Sequence, residues 1–129
     1  MKFLGILLLS ASCFLAAGCA NRVALTTPHE IPLPILEDGQ VVLFVGDGCT
    51  RCETVTDRIT KDGLDKKMNI SIKEVFHNQD NALQLVAVTR QCAITLDKAG
   101  VPLLWDGQHC IQSDEKIIDF LNKNTVKKK

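Results

Sequence analysis

The residues best suited to chemistry in this chain are Cys49 and Cys52, which are separated by Thr50 and Arg51. They follow the apolar run Val41–Val45 and a short glycine-containing turn, and a helical pattern begins at them. A strand that ends in such a turn places the first cysteine at a helix N-terminus, where unpaired N–H groups and the helix dipole favour a thiolate over a thiol. In such an environment the pKa of a cysteine falls from about 8.5 to roughly 3.5–7.5.

The second cysteine of the pair is positioned to complete a reaction. Cys52 comes three residues after Cys49, on the same side of the helix and at close range. It can attack a mixed disulfide formed on Cys49, which is the minimal machinery for thiol–disulfide exchange. We therefore predict Cys49 as the nucleophile and Cys52 as the resolving cysteine. Arg51 either favours the thiolate and steers an acidic partner, or is a solvated charge at the helix start.

The same cysteine spacing also occurs in metal sites. A zinc ribbon needs a second Cys-x-x-Cys or paired histidines, whereas Cys92 and Cys110 are isolated and far apart in the sequence. These two are either buried single thiols or a structural disulfide, and both alternatives stay open. We predict no metal site and no organic cofactor, because the redox equivalents would reside on sulfur.

A second informative stretch runs from Gly100 to Ile111. A proline opens a short apolar strand, Asp106-Gly107 predicts a two-residue hairpin turn, and another strand follows. Ser113 is the predicted N-cap of a last helix, with Asp114 and Glu115 in its first turn. The chain therefore closes with a β-hairpin and a helix.

Together these features resemble the thioredoxin-like superfamily, and its glutaredoxin-like branch most closely, over about residues 38–123. The resemblance rests on the strand before Cys49-x-x-Cys52, on the helix after it, and on Gly100-Val101-Pro102 before the hairpin. In that family the proline is cis and lies beside the cysteine pair, and the residue before it pairs with bound substrate. The resemblance therefore implies a cis Val101–Pro102 bond. The substrate-binding residues that we predict are Thr50, Arg51, Val101 and Pro102.

The chain departs from the family pattern at three places. Thioredoxins carry Trp just before the first cysteine and glutaredoxins usually carry an aromatic residue near it, whereas this chain has Gly46-Asp47-Gly48. Leu43 stands where thioredoxins have a buried Asp, which removes one proton acceptor for the resolving cysteine. Gln112-Ser113-Asp114 matches the glutathione-binding turn of glutaredoxins only loosely. Exchange with or without glutathione is compatible with these residues.

The N-terminal residues 1–18 predict a lipoprotein-type signal peptide. Phe3–Ala17 is an apolar run of 15 residues, shorter than the roughly 20 needed to span a membrane. The run ends at Leu15-Ala16-Ala17-Gly18-Cys19, which resembles the bacterial lipobox and implies cleavage before a lipidated Cys19. The alternatives are an uncleaved anchor and an ordinary secretory signal. We expect a lipid-anchored protein of the cell envelope whose domain faces the periplasm or the extracellular side.

The remaining segments complete the predicted organisation. Residues 19–37, which contain Pro28, Pro32 and Pro34, predict an extended tether. A thioredoxin/glutaredoxin-like domain follows at 38–123, and a basic tail at 124–129. The order strand, helix, strand, helix, hairpin, helix predicts an α/β fold, with a four-stranded mixed sheet flanked by three helices.

Composition and motifs together indicate a function. Lys and Arg total 15 and Asp and Glu total 15, so no charge field favours nucleic acid as a partner. We predict a membrane-anchored, extracytoplasmic thiol–disulfide oxidoreductase whose partners are protein thiols and disulfides, with low-molecular-weight thiols as a further class. The alternatives are a soft-metal-binding module and a non-catalytic interaction protein on a thioredoxin-like scaffold.

Overall fold

The computed structural model describes residues 32–37 and 39–126. Residues 1–18, the predicted lipidation site Cys19, most of the predicted tether, and Lys127, Lys128 and Lys129 lie outside the described residues. Within these ranges no helix is long and apolar enough to cross a membrane. The elements in chain order are β1 Gln40–Val45, α1 Thr50–Lys61, β2 Asn69–Glu74, α2 Gln79–Gln91, β3 Leu103–Trp105, β4 Cys110–Gln112 and α3 Asp114–Val126.

The four strands form one mixed sheet in the order β2-β1-β3-β4. β1 and β2 run parallel, in a register from Gln40 opposite Asn69 to Val45 opposite Glu74. β3 pairs with β1 and with β4, antiparallel in both cases. This topology, with its three helices, is the thioredoxin-like fold, and the predicted fold class is confirmed.

The central strand β1 is buried on both faces, as its continuous apolar sequence predicts. Val41, Leu43 and Val45 face α1 and α3, and join a core with the buried residues of those helices. Val42 and Phe44 point to the opposite face, where they pack with residues of α2 and β3. Two helices therefore cover one face of the sheet and one helix covers the other. The buried helical residues on the two-helix face are Cys52, Val55, Ile59, Ile117 and Leu121.

The hairpin between β3 and β4 turns one residue later than predicted. Trp105 and Cys110 are the last strand pair, and the Asp106 N–H donates to the His109 carbonyl at 3.2 Å, which places Gly107 and Gln108 at the tip. The Asp106 carboxylate explains the shift, because it accepts the N–H groups of Gln108 at 2.9 Å and His109 at 2.6 Å. Because its side chain binds the backbone of the residues that follow, Asp106 precedes the turn instead of lying within it.

The predicted side-chain cap of the last helix is also wrong. Ser113 does precede α3, and its carbonyl accepts the Ile117 N–H at 3.1 Å. Its φ of +79° lies in the left-handed region rather than the extended region of an ordinary N-cap. Its hydroxyl makes no hydrogen bond within the described part of the chain. Asp114 and Glu115 occupy the first turn as predicted.

The described part of the predicted tether lies against the domain. Pro34 is buried, and Leu36 packs with the core on the α2 face. The Glu37 carboxylate accepts a hydrogen bond from the Asn69 amide at 3.1 Å, at the start of β2. At the other end of the chain α3 continues to Val126, so the helix extends into the segment 124–129.

Candidate active site

The loop after β1 delivers Cys49 to the start of α1. Gly48 has a φ of +66°, a left-handed conformation that glycine adopts without steric cost. Cys49 is the N-cap of α1: its N–H donates to the Gly46 carbonyl at 3.3 Å, and its carbonyl accepts the Glu53 N–H at 3.0 Å. The sharp turn predicted from the glycines therefore places a sulfur where Ser, Thr, Asp or Asn usually stands.

Cys49 and Cys52 form a disulfide, with their Cα atoms 5.2 Å apart. The Cys52 N–H points to Cys49 Sγ at 3.2 Å, so this sulfur accepts one of the free N–H groups at the start of α1. Cys52 is only 2% exposed, whereas Cys49 is half-buried. Cys49 is therefore the sulfur that an incoming molecule can reach, and it lies where the helix dipole favours negative charge.

The segment before β3 completes the site. The Val101–Pro102 peptide bond is cis, as the resemblance implied. The Val101 carbonyl oxygen lies 3.8 Å from Cys49 Sγ, although the two residues are 52 positions apart. Pro102 is buried behind this carbonyl. The two motifs that the sequence singled out are neighbours in the structure.

A small hollow of about 230 Å³ lies beside the cysteine pair. Three of the four predicted substrate-binding residues line it, namely Arg51, Val101 and Pro102. Thr50 does not line it; this residue is exposed, and its carbonyl accepts the Thr54 hydroxyl at 3.0 Å. The other lining residues are Lys98, Gly100, Gln112 and Ser113.

Sequence reasoning missed Glu74, which ties the cysteine loop to the loop after β2. Its carboxylate accepts the N–H groups of Phe76 at 2.6 Å, His77 at 2.9 Å and Asp47 at 3.4 Å. Partial removal from water raises the pKa of Glu74, but these backbone N–H groups and the nearby His77 outweigh it and lower the pKa overall. The contact between the His77 imidazole and the Asp47 carboxylate, at 3.4 Å, is about three-quarters exposed on both sides and therefore weak.

Phe76 is the second residue that the sequence did not point to. Its ring lies directly over Gly46, so that a Cβ at Gly46 would overlap it, and the side chain is 59% exposed. An aromatic side chain therefore flanks the loop that carries none of its own. The contact follows from the parallel pairing of β1 and β2, which brings both loops to the same edge of the sheet.

The structure decides between the two alternatives left open for Cys92 and Cys110. They form a disulfide, with Cα atoms 6.0 Å apart. Cys92 is the C-cap of α2, and Cys110 begins β4. Both are half-buried, and they line a hollow of about 560 Å³ together with His109 and Lys116.

Two further observations concern the chemistry of the site. Leu43 is fully buried in the core that contains Cys52, so an apolar side chain occupies the position where thioredoxins carry Asp. Within residues 32–37 and 39–126, no group of three or more His, Cys, Asp or Glu side chains could hold a metal ion.

Comparison with known proteins finds glutaredoxin crystal structures among those similar to this chain. No protein-family model and no curated protein matches the chain. The chain is similar to the crystal structure of a buckwheat glutaredoxin–glutathione complex, at 16% identity and a TM-score of 0.46, over 67% of this chain and 71% of that one. It is also similar to oxidized glutaredoxin 2 from Chlamydomonas reinhardtii, at 12% identity and a TM-score of 0.45, over 68% of this chain and 76% of that one. The fold assignment itself rests on the strand order and register given above.

Proposed function

We propose that this protein is a membrane-anchored, extracytoplasmic thiol–disulfide oxidoreductase that uses Cys49 and Cys52. The observation that carries the proposal is the position of the Cys49–Cys52 disulfide. It lies at the N-terminus of α1, and the Val101 carbonyl is 3.8 Å from the accessible sulfur. An accessible disulfide against a backbone acceptor is suited to bind and exchange with a chain that carries thiols, and the reduced pair with a chain that carries a disulfide.

The exchange balances in two steps. The Cys49 thiolate attacks one sulfur of a substrate disulfide, which forms a mixed disulfide and releases the other substrate sulfur as a thiolate. The Cys52 thiolate then attacks Cys49 Sγ, forms the Cys49–Cys52 disulfide and releases the second substrate sulfur. Two electrons pass from the enzyme pair to the substrate, and the reverse sequence oxidises a substrate dithiol.

The surroundings assign distinct roles to the two sulfurs. The Cys52 N–H, at 3.2 Å, stabilises negative charge on Cys49 both before attack and when Cys49 leaves. Cys52 is buried in the core that contains Leu43, and its sulfur is bonded to Cys49, which suits a resolving cysteine. The Val101 carbonyl accepts a backbone N–H of an extended substrate segment.

The proposed substrates are protein disulfides and protein thiols, with low-molecular-weight thiols as a second class. The hollow beside the pair holds about 230 Å³, enough for part of a small thiol but not for a folded partner. Arg51 and Lys98 line it and favour an anionic group there. A protein partner would instead lie across the exposed ring of Phe76 and the Val101 carbonyl.

The test of the proposed chemistry is the reduction potential of the Cys49–Cys52 pair. The full chain, purified in mild detergent, is equilibrated with dithiol buffers of stepped potential, alkylated and digested with trypsin. Arg51 separates the two cysteines and Lys98 separates Cys92 from Cys110, so each disulfide is read as its own linked peptide pair. We expect one reversible two-electron transition, in which both cysteines of the site change together. A potential of about −270 mV would mark a reductant, and one of about −120 mV an oxidant.

The matched control is Cys49→Ser, which must abolish both the transition and exchange with a peptide disulfide. A pair that never forms a disulfide, or that carries a stoichiometric soft metal instead, would contradict the proposal and favour the metal-binding alternative. A variant that keeps every measured partner interaction without the pair would favour the interaction scaffold.

Membrane anchoring through Cys19 is tested separately. We expect the wild-type chain to fractionate with membranes, and the mass of its N-terminal peptide to show cleavage before Cys19 and a lipid adduct on it. Cys19→Ser should remove the adduct and stop that cleavage. An unmodified Cys19 in a membrane fraction would instead indicate an uncleaved anchor.

A further inference from the structure

We infer, on the basis of the function proposed above, that the Cys92–Cys110 disulfide is a positioning device for the exchange site. It holds the segment of residues 93–102 against the β3–β4 hairpin, and so keeps the Val101 carbonyl opposite Cys49. The two cysteines do not touch the reacting sulfurs. They act through the segment that carries the substrate platform.

The segment of residues 93–102 is attached to the rest of the fold at both of its ends. It leaves α2 at Cys92 and enters β3 at Leu103, and it contains no helix or strand of its own. Cys110 pairs across the sheet with Trp105 of β3, so the disulfide ties the start of the segment to the hairpin that already holds its end. Both ends are thereby fixed to one rigid unit.

The middle of the segment, residues 95–98, is exposed and has few contacts with the sheet. Leu96 is 63% exposed, and the residues on either side of it are exposed as well. The bond to the sheet in this stretch runs from the Gln112 side-chain amide to the Lys98 carbonyl at 3.1 Å. The Lys98 and Ala99 N–H groups donate to the Thr95 carbonyl at 2.9 Å, but these bonds lie within the loop, so its position relative to the sheet depends on how its ends are held. The disulfide is the covalent restraint closest to its start.

The Val101 platform and the Cys49 nucleophile are held in place by different parts of the fold. Cys49 and Cys52 are held by β1 and α1, which the second disulfide does not join. Loss of the Cys92–Cys110 bond should therefore disturb binding of an extended substrate at Val101, while leaving in place the start of α1 and the Cys52 N–H that faces Cys49 Sγ. If the disulfide only stabilised the fold, its loss would weaken substrate binding and alter the reactivity of Cys49 in proportion.

The experiment compares the full-length wild-type chain with Cys92→Ala/Cys110→Ala. Met68→Ala is the control for general loss of stability, because Met68 is a buried residue at the start of β2, at the end of the sheet away from Cys49. Three quantities are measured at a temperature at which circular dichroism shows all three chains to be folded. They are the deuterium uptake of residues 93–102, the alkylation rate of reduced Cys49 by iodoacetamide, and KM and kcat for an extended peptide disulfide.

We expect faster deuterium uptake in 93–102 and a KM raised about tenfold in the double variant, with the iodoacetamide rate within about twofold of wild type. Met68→Ala should leave all three unchanged. Unchanged uptake in 93–102, or an equal fall in peptide exchange and alkylation, would overturn the inference. If the wild-type chain shows no exchange at all, the proposed function fails. The uptake measurement still decides whether the disulfide holds the segment.

Discussion

At the scale of single residues, backbone N–H groups organise the loops of the domain more than ionic pairs do. Cys49 Sγ, the Glu74 carboxylate and the Asp106 carboxylate each face one or more backbone N–H groups at the end of an element. Such bonds cost little side-chain entropy, because the donors are already fixed by the fold. The side-chain contact near the site, between His77 and Asp47, is largely solvated and contributes little.

Asp106 gives a pH-dependent prediction at this scale. Burial raises its pKa, but the N–H groups of His109 and Gln108 and the His109 imidazole outweigh this and lower the pKa below 3.8. A lowered folded-state pKa stabilises the protein above the unfolded value, and the benefit is lost as the pH falls through the folded value. We expect Asp106→Asn to lower the free energy of unfolding by about 1 kcal/mol at pH 7, with the gap closing below pH 3.8.

Urea unfolding at stepped pH measures this difference. Asp65→Asn, at an exposed aspartate, is the matched control and should leave the free energy of unfolding near wild type throughout. A gap between wild type and Asp106→Asn that stays constant from pH 7 to pH 2.5 would rule out the charged hydrogen bonds as its cause.

Gly46 gives a second prediction. A Cβ there overlaps the Phe76 ring, and overpacking of this kind costs typically about 1–3 kcal/mol. Because the ring is 59% exposed and can rotate away, we expect Gly46→Ala to lower the free energy of unfolding by about 1 kcal/mol. In a Phe76→Ala background the same substitution should cost close to nothing. Additive effects in this double-mutant cycle would show that the ring does not pack on Gly46.

At the scale of elements, α1 and α2 end in the same backbone conformation with different residues. Gly63 follows the C-cap of α1 with a φ of +59°, and Ala93 follows the C-cap of α2 with a φ of +54°. Helices favour glycine at this position because a Cβ is strained there. α1 therefore ends with the preferred residue, whereas α2 ends with a strained one beside Cys92.

Opposite substitutions at these two positions should have opposite signs. We expect Gly63→Ala to lower the free energy of unfolding by about 1 kcal/mol, and Ala93→Gly to raise it by a few tenths to about 1 kcal/mol. Ala99→Gly, outside the positive-φ residues, is the control and should destabilise slightly through the entropy of the unfolded chain. Thermal and urea unfolding measure all three. A destabilised Ala93→Gly would contradict the strain argument.

At the scale of the whole molecule, the two disulfides differ in what they join. Cys49–Cys52 closes a loop within one helix start, with a sequence separation of 3. Cys92–Cys110, with a sequence separation of 18, joins the end of α2 to the edge strand β4. The second bond therefore restrains the unfolded chain more.

Removal of this second bond should measurably weaken the fold. In the chain-entropy description, a loop of this length contributes about 3 kcal/mol, so we expect Cys92→Ala/Cys110→Ala to lower the free energy of unfolding by about that amount. Urea unfolding with and without excess reductant tests this, because reduced wild type and the variant should nearly coincide. A difference that persists in reductant would show that the loss comes from packing of the side chains.

Short-range patterns in the sequence determined the elements, the fold class and the place of the cysteine pair in the fold. The apolar run in β1 predicted a strand buried on both faces, and the Cys49–Cys52 spacing predicted a pair at a helix start. These are local properties, since periodicity and backbone preference act over a few residues. Two local predictions were wrong. The hairpin turn is shifted because the Asp106 carboxylate binds the backbone N–H groups after it, and Ser113 is not an ordinary cap because its backbone is left-handed.

The tertiary structure alone decided two long-range contacts, since it paired Cys92 with Cys110 and laid Phe76 over Gly46. The resemblance to a family implied a third, between Val101 and Cys49, and the structure gives it a distance of 3.8 Å. Each contact joins residues from different elements, so it depends on strand order and register, which no single segment encodes. The position of the Cys49–Cys52 pair at a helix start could therefore be predicted from the sequence, whereas the surroundings of Cys49 arise from packing of the whole sheet.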